Sequence, residues 1–229
     1  MPPLRVSAQR GTRRRAALFD MDRTLVRKET ASLYVRYQRD IGEATWKDTA
    51  RVLWWVLQYT TGVIDAPVVA ARAVRAFKGI PETVLASRCD DWFRRYVEVH
   101  VCDLGRVAVE THRARGDVLA IATGASPYAA RPLARRLGIP HVVASELEVD
   151  GDGHFTGNLV NPLCIGVGKV ERALRLAKDL EFDLADATFY SDSHTDLPLL
   201  EAVREPIVVN PDMRLRRIAK QRGWQIVRW

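Results

Sequence analysis

The chain has 229 residues, 47% of them hydrophobic, and a formal net charge of +7. That length suits one α/β domain with a sizeable core and a modest insertion. The positive charge sits at the ends: residues 1–15 carry five Arg, residues 213–229 carry five Arg and one Lys, and neither end holds an acid, so taking five and six from +7 leaves −4 for the body. A basic tail can bind nucleic acid, but an acidic body offers no basic face, and the ends read as solvated tails. Cys89, Cys102 and Cys164 lie far apart with no Cys-x-x-Cys pair, which excludes a disulfide framework or a zinc site. No run reaches the ~18 apolar residues of a membrane span, and no apolar stretch of the secretory type follows the start. Membrane insertion is not expected, and a reducing cytoplasm is the expected location.

In chain order, the first element is Ala16-Ala17-Leu18-Phe19, an unbroken apolar run that predicts a buried parallel strand. It ends abruptly at Asp20 and Asp22, with Thr24 beyond. Residues 27–100 hold long helical patterns broken only at Gly42, Gly62 and Gly79-Ile80-Pro81, which predicts a helical cap inserted after the first strand. Within it, residues 51–64 are apolar almost all round, as in a helix that is buried or meets a partner. From Leu104 the core resumes, with Leu104, Val107, Ala108 and Thr111 expected on the buried face of a helix that Gly116 stops. Val118–Ala122 predicts a second strand. A helix with the stripe Ala130, Leu133, Ala134 and Leu137 then ends at Gly138. His141 to Ser145 reads as a short strand. Asp150-Gly151-Asp152-Gly153 signals a β-hairpin. Val170, Leu174 and Ala177 mark the buried stripe of the next helix. Strands are expected at residues 187–190, 207–209 and 224–227, with helices between. Alternating strands and helices predict an α/β fold, a doubly wound parallel sheet, with core segments 16–26 and 101–229 and cap 27–100.

The chemistry gathers where strands end. Asp20 and Asp22 fall at the carboxyl end of the first strand, where open α/β sheets place ligands. Two carboxylates this close repel unless a cation lies between them, and oxygen ligands of this kind suit Mg²⁺. The second strand ends at Thr123-Gly124. Lys169 follows Gly166-Val167-Gly168 and opens a helix. The strand at residues 187–190 ends in Ser191-Asp192-Ser193-His194-Thr195-Asp196.

Strand-end acids, strand-end hydroxyl, lysine and strand-end acids, in that order, resemble the four motifs of the haloacid dehalogenase superfamily of aspartate-nucleophile phosphohydrolases. Leu25-Val26-Arg27-Lys28-Glu29-Thr30, Asp196-Leu197-Pro198-Leu199-Leu200 and Asn210-Pro211-Asp212 are similar to its phosphoserine-phosphatase-like branch. The resemblance implies an HAD-like, Rossmann-type core and a Mg²⁺-dependent phosphatase acting through an aspartyl-phosphate. Asp20 is the implied nucleophile and Asp22 the implied acid and base. Thr123 and the Gly124 amide are implied to hold the phosphoryl oxygens, and Lys169 to add fixed positive charge there. The implied metal group is Asp20, Asp22 (through its carbonyl), Asp192 and Asp196, the last through water or as an orienter of Lys169. His194 lies among the acids, but imidazole is a poor Mg²⁺ ligand, and Cys164 reads as packing.

Glu29 matches in spacing a glutamate that phosphoserine phosphatases use near the substrate's amino group. That family's carboxylate-binding Arg would fall at Ala73, flanked here by Arg72 and Arg75. A related branch hydrolyses other phosphomonoesters, histidinol phosphate among them. The expected partner is a small phosphorylated, amino-bearing metabolite. Two other readings compete: a phosphatase on lipid-like phosphates that uses Trp54-Trp55 at a membrane, and a regulatory or nucleic-acid-associated protein with a vestigial site. Neither the oligomeric state nor the identity of the phosphomonoester is legible in the sequence.

Overall fold

The computed structural model describes residues 14–43 and 66–229. The stretch at 51–64, Trp54-Trp55 and the tail before Arg14 lie outside the described residues. Strand β1, Ala16–Phe19, has all four side chains buried. Its run lacks polar alternation because both faces are covered. Ala17 and Phe19 enter one core with Trp92, Val109 and Leu133. Ala16 and Leu18 enter the opposite core with Ala173, Leu199 and Leu215, the two-residue period of a strand.

Strand β1 lies between β2 (Val118–Ala122) and β6 (Thr188–Ser191), parallel to both, with Phe19 beside Ile121 and Tyr190. Strand β3 (His141–Val143) extends the sheet beyond β2, while β7 (Glu205–Val209) and β8 (Gln225–Val227) extend it beyond β6. The order is β3-β2-β1-β6-β7-β8, all parallel. The winding therefore reverses between β1 and β6, which opens a crevice at the carboxyl ends of these strands. The expected hairpin forms outside this sheet, from β4 (Leu147–Val149) and β5 (Phe155–Leu159).

Between β1 and β2 the described chain is mainly helical. It holds α1 (Thr30–Asp40), α2 (Ala66–Val74), a 3-10 turn Arg75–Phe77, and α3 (Glu82–Trp92), which continues through a π-helical stretch Phe93–Val97. Their apolar faces (Tyr37, Val74, Leu85, Trp92 and Val97) join the same core as Phe19. Helix α4 (Asp103–Ala114) then leads into β2. The remaining helices are α5 (Pro127–Leu137), α6 (Val167–Asp179), α7 (Leu197–Ala202) and α8 (Met213–Arg222). Gly138 and Gly223 end α5 and α8 in the left-handed conformation, as helix C-termini favour.

Two helix faces differ from the sequence reading. On α4 the buried residues are Gly105, Val109 and His112, while Leu104 and Val107 are 52% and 55% exposed. Gly105 faces inward because a Cβ there would lie 3.2 Å from both Leu25 and the ring of Trp229. His112 can face inward because its ring nitrogens meet Asp117 at 2.7 Å and the Tyr190 hydroxyl at 2.9 Å; a buried polar group with its partners costs little. On α6 the buried face is Lys169, Arg172, Ala173 and Ala177, and Leu174 is 50% exposed. Ala177 lies in the core and Val170 packs against it, so only Leu174 departs from the expected stripe; two cations, Lys169 and Arg172, share the buried face, each matched by acceptors inside the fold.

Candidate active site

The chain leaves β1 in a tight turn. The Asp20 amide extends the ladder to the Tyr190 carbonyl at 2.8 Å, and the Val26 amide closes back on Met21 at 2.9 Å. Arg23, at the turn's apex, has φ +55°. A non-glycine residue in the left-handed region is strained and marks sites where the surroundings dictate the backbone. The turn aims Asp20 into the crevice and sends Arg23 across it, so that Arg23 Nε lies 3.3 Å from Asp192 Oδ2. Asp22 Oδ1 accepts a hydrogen bond from the Thr30 amide at the start of α1. Glu29, the residue at that helix's N-cap, makes no side-chain cap, so Asp22 satisfies the helix end instead.

Lys169 lies in the first turn of α6 and is 3% exposed. Its Nζ is 3.0 Å from Asp20 Oδ1 and 2.6 Å from Asp196 Oδ1. Burial pushes its ammonium pKa down, but Asp196 and Asp20 outweigh this and hold it above the ordinary lysine value. The second oxygen of Asp196 accepts from the Ser191 hydroxyl at 2.7 Å. Asp20 is raised well above the carboxylate range by burial, against Lys169 and with added repulsion from Asp196, Asp22 and Asp192. Burial likewise raises Asp22, against its bond to Thr30. It pushes Asp192 up to about 7, with Arg23 opposing. Thr123, buried at the end of β2, donates its amide to Val143 at 2.9 Å and accepts from the Ala125 amide at 3.1 Å. Burial pushes the Cys164 thiol up to about 12, which disfavours the thiolate.

One cavity of about 530 Å³ is lined by Asp20, Asp22, Glu29, Thr123, Gly124, Lys169, Asp192 and Asp196. All eight residues expected at the site therefore meet in one place. The wall supplied by the helices between β1 and β2 is Tyr34, Ala73, Val74, Phe77, Leu85, Cys89 and Trp92. Ala73 faces the cavity, and Arg72 and Arg75 are absent from its lining, so neither described cation stands in for the arginine expected near position 73. His194 lies beside the site and meets Asp212 at 3.1 Å.

Two supporting residues were not singled out in the sequence. A Cβ on Gly168 would lie 2.1 Å from the Leu163 carbonyl oxygen, so only glycine lets the helix start press against that loop and present Lys169. Arg172 ties the same loop down. Its Nε donates to Pro162 at 2.6 Å, Nη2 to Val160 at 2.8 Å and Nη1 to Glu146 at 2.9 Å. The available signal was a second cation on the helix face, three residues after Lys169.

Known proteins give the same picture. The model of the haloacid dehalogenase-like hydrolases matches residues 17–201. A histidinol-phosphatase of Neisseria meningitidis is 27% identical, over 92% of this chain and 97% of its own length. A phosphoserine phosphatase of Mycobacterium tuberculosis is 31% identical, over 98% of this chain and 72% of its own. A protein of unknown function from Bordetella pertussis superposes with a TM-score of 0.88 at 31% identity, covering 94% of this chain and 99% of that one. A phosphoserine phosphatase solved as a phospho-aspartyl intermediate analogue shares the fold, with a TM-score of 0.67 at 20% identity over 93% and 92% of the two chains. With the motif order, the strand-end cluster and these matches in agreement, the chain belongs to the haloacid dehalogenase-like hydrolase family, on its phosphoserine-phosphatase-like branch.

Proposed function

We propose that the chain is a Mg²⁺-dependent phosphomonoesterase acting on a small amino-bearing ester, with residues 27–100 as its cap. The observation that carries this reading is the buried Asp20–Lys169–Asp196 line at the strand ends, 3.0 and 2.6 Å long in its two contacts. Phosphoryl transfer needs a nucleophile in line, charge on the equatorial oxygens and a proton for the leaving group. Asp20 attacks phosphorus and forms an acyl phosphate as the P–O bond to the alcohol breaks. Asp22 gives its proton to that alkoxide. Asp22 then takes a proton from water, whose oxygen attacks phosphorus, releasing inorganic phosphate and regenerating Asp20. A carboxyl raised by burial suits a group that must both give and take a proton. Thr123, the Gly124 amide and Lys169 hold the phosphoryl oxygens, and Asp196 orients Lys169.

The donor chemistry fits Mg²⁺. Six carboxylates, Asp20, Asp22, Glu29, Asp192, Asp196 and Asp212, line the cavity against two cations, Arg23 and Lys169. Among the described residues no three acid, His or Cys side chains close into a ready-made cage. The set we assign is the Asp20 and Asp192 carboxylates with the Asp22 carbonyl, leaving places for water and substrate oxygens. When bound, the ion neutralises charge on the phosphoryl group.

Among the described residues no helix is long and apolar enough to cross a membrane, and the three cysteines are free and buried. The test is hydrolysis of p-nitrophenyl phosphate. Asp20→Asn is expected to fold and to lose at least about a thousandfold in kcat, and chelation of Mg²⁺ is expected to abolish turnover. Near-native rates in either case would sink the assignment.

A further inference from the structure

The phosphoryl end of the cavity leaves most of its 530 Å³ to whatever alcohol is released. The wall on that side is Tyr34, Phe77, Leu85, Trp92, Leu147 and Ile165, aliphatic and aromatic, with the buried Tyr34 hydroxyl and Trp92 Nε1 lacking a hydrogen-bond partner among the described residues. It is also held in place: Tyr34 and Trp92 pack edge to face at 5.6 Å, and Phe77 meets Phe155 at 6.3 Å. Of the charged residues that line the cavity, both cations are committed. Lys169 lies against Asp20 and Asp196, and Arg23 reaches Asp192 at 3.3 Å and Glu29 at 3.8 Å. A carboxylate on the leaving group would meet no spare cation among the described residues, and Glu29 and Asp212 would repel it. A buried charge without a partner is costly, whereas a ring on an aromatic wall gains area burial and edge-to-face contact.

From this we infer that the alcohol released at this site carries an apolar ring and no carboxylate, bound against the Tyr34–Phe77–Leu85–Trp92 wall. The inference rests on the phosphatase reading and narrows it. Ala73 supplies the lever, because it faces the cavity without lying among the phosphoryl-binding groups. The test compares kcat/KM of the purified chain, with Mg²⁺, for 2-phenylethyl phosphate and O-phospho-L-serine. The ring-bearing ester is expected to be favoured by at least about tenfold. Ala73→Arg is expected to cut that ratio by about tenfold or more, with circular dichroism unchanged. Preference for the serine ester, in an enzyme that Asp20→Asn silences, would overturn the inference and leave the phosphatase reading standing. An unchanged ratio in folded Ala73→Arg would overturn it too. Failure to hydrolyse either ester or p-nitrophenyl phosphate would bring down both.

Discussion

The two sides of the cavity are built on opposite terms. On the sheet side Asp20, Lys169, Asp192 and Asp196 are buried and engaged: Lys169 between Asp20 and Asp196, Asp196 also on Ser191, Asp192 on Arg23. On the cap side the wall is apolar, and its one carboxylate, Glu29, is 60% exposed and only 3.8 Å from an Arg23 that is itself 45% exposed. The sheet side can stabilise a developing charge because its dipoles and charges are fixed before substrate arrives. The cap side can only choose what the charge is attached to. On the function proposed above, reaction and selectivity fall to separate stretches of chain, and substitutions on the two sides are expected to fail differently.

After Asp20→Asn, the largest effect is expected from Lys169→Met, which leaves two buried carboxylates without their cation. Breaking a buried pair costs about 3–5 kcal/mol, read as a fall in denaturant midpoint in metal-free buffer. The kcat should drop on the order of a hundredfold or more for every phosphomonoester alike. Loss confined to one substrate would erase the contrast between the two sides. Next comes Gly168→Ala. The new methyl would fall on the Leu163 carbonyl at 2.1 Å, and overpacking of this kind costs about 1–3 kcal/mol. A Tm lowered by roughly 3–10 °C is expected, with kcat falling because the adjacent Lys169 moves with the helix start. Unchanged Tm and kcat would show that the loop yields freely.

Glu29→Gln follows. A carboxylate sealed in a dry site would lose about 2–5 kcal/mol with its partner. At 60% exposure solvent screens it, and about 1 kcal/mol is the better expectation. That is roughly a fivefold loss in kcat/KM for an aminoalkyl phosphate and none for p-nitrophenyl phosphate. Equal losses on both would move Glu29 to the reacting side. The smallest effect is expected from Leu174→Gln on α6. The residue is 50% exposed, so stability should change by less than about 0.5 kcal/mol. A loss of several kcal/mol would mean that the apolar stripe is buried after all.

That last substitution marks where the sequence is opaque. Asp20, Thr123 and Asp192 could be read because a strand's apolar run stops abruptly and reactive side chains follow, a pattern tied to the sheet's carboxyl edge, and Lys169 could be read from its place in the order of the four motifs. The parallel sheet, the hairpin and the helices after β1 followed from period and punctuation, but the strand order did not. The inward face of α4 and the two cations on that of α6 did not, because hydrophobic periodicity assumes that polar residues point out. His112, Lys169 and Arg172 point in, each matched by partners from distant segments. No spacing along a helix encodes a Tyr190 hydroxyl or a Pro162 carbonyl waiting on the other side. Glu29 was legible as a residue near the site but not in strength, since its exposure depends on how α1 leaves the turn.

The bond from the Thr30 amide to Asp22 Oδ1 gives one side chain two masters. The carboxyl we assign to proton transfer is also the stopper on the first helix of the selectivity wall. A protonated carboxyl is a poorer acceptor than a carboxylate, so the proton's whereabouts and the seating of that helix are linked quantities. Linkage runs both ways. Anything that presses α1 home makes Asp22 a stronger acid, and anything that draws α1 away makes it hold its proton longer. Substrate contacts made far from phosphorus thus have a route to the proton that decides when the alcohol can leave.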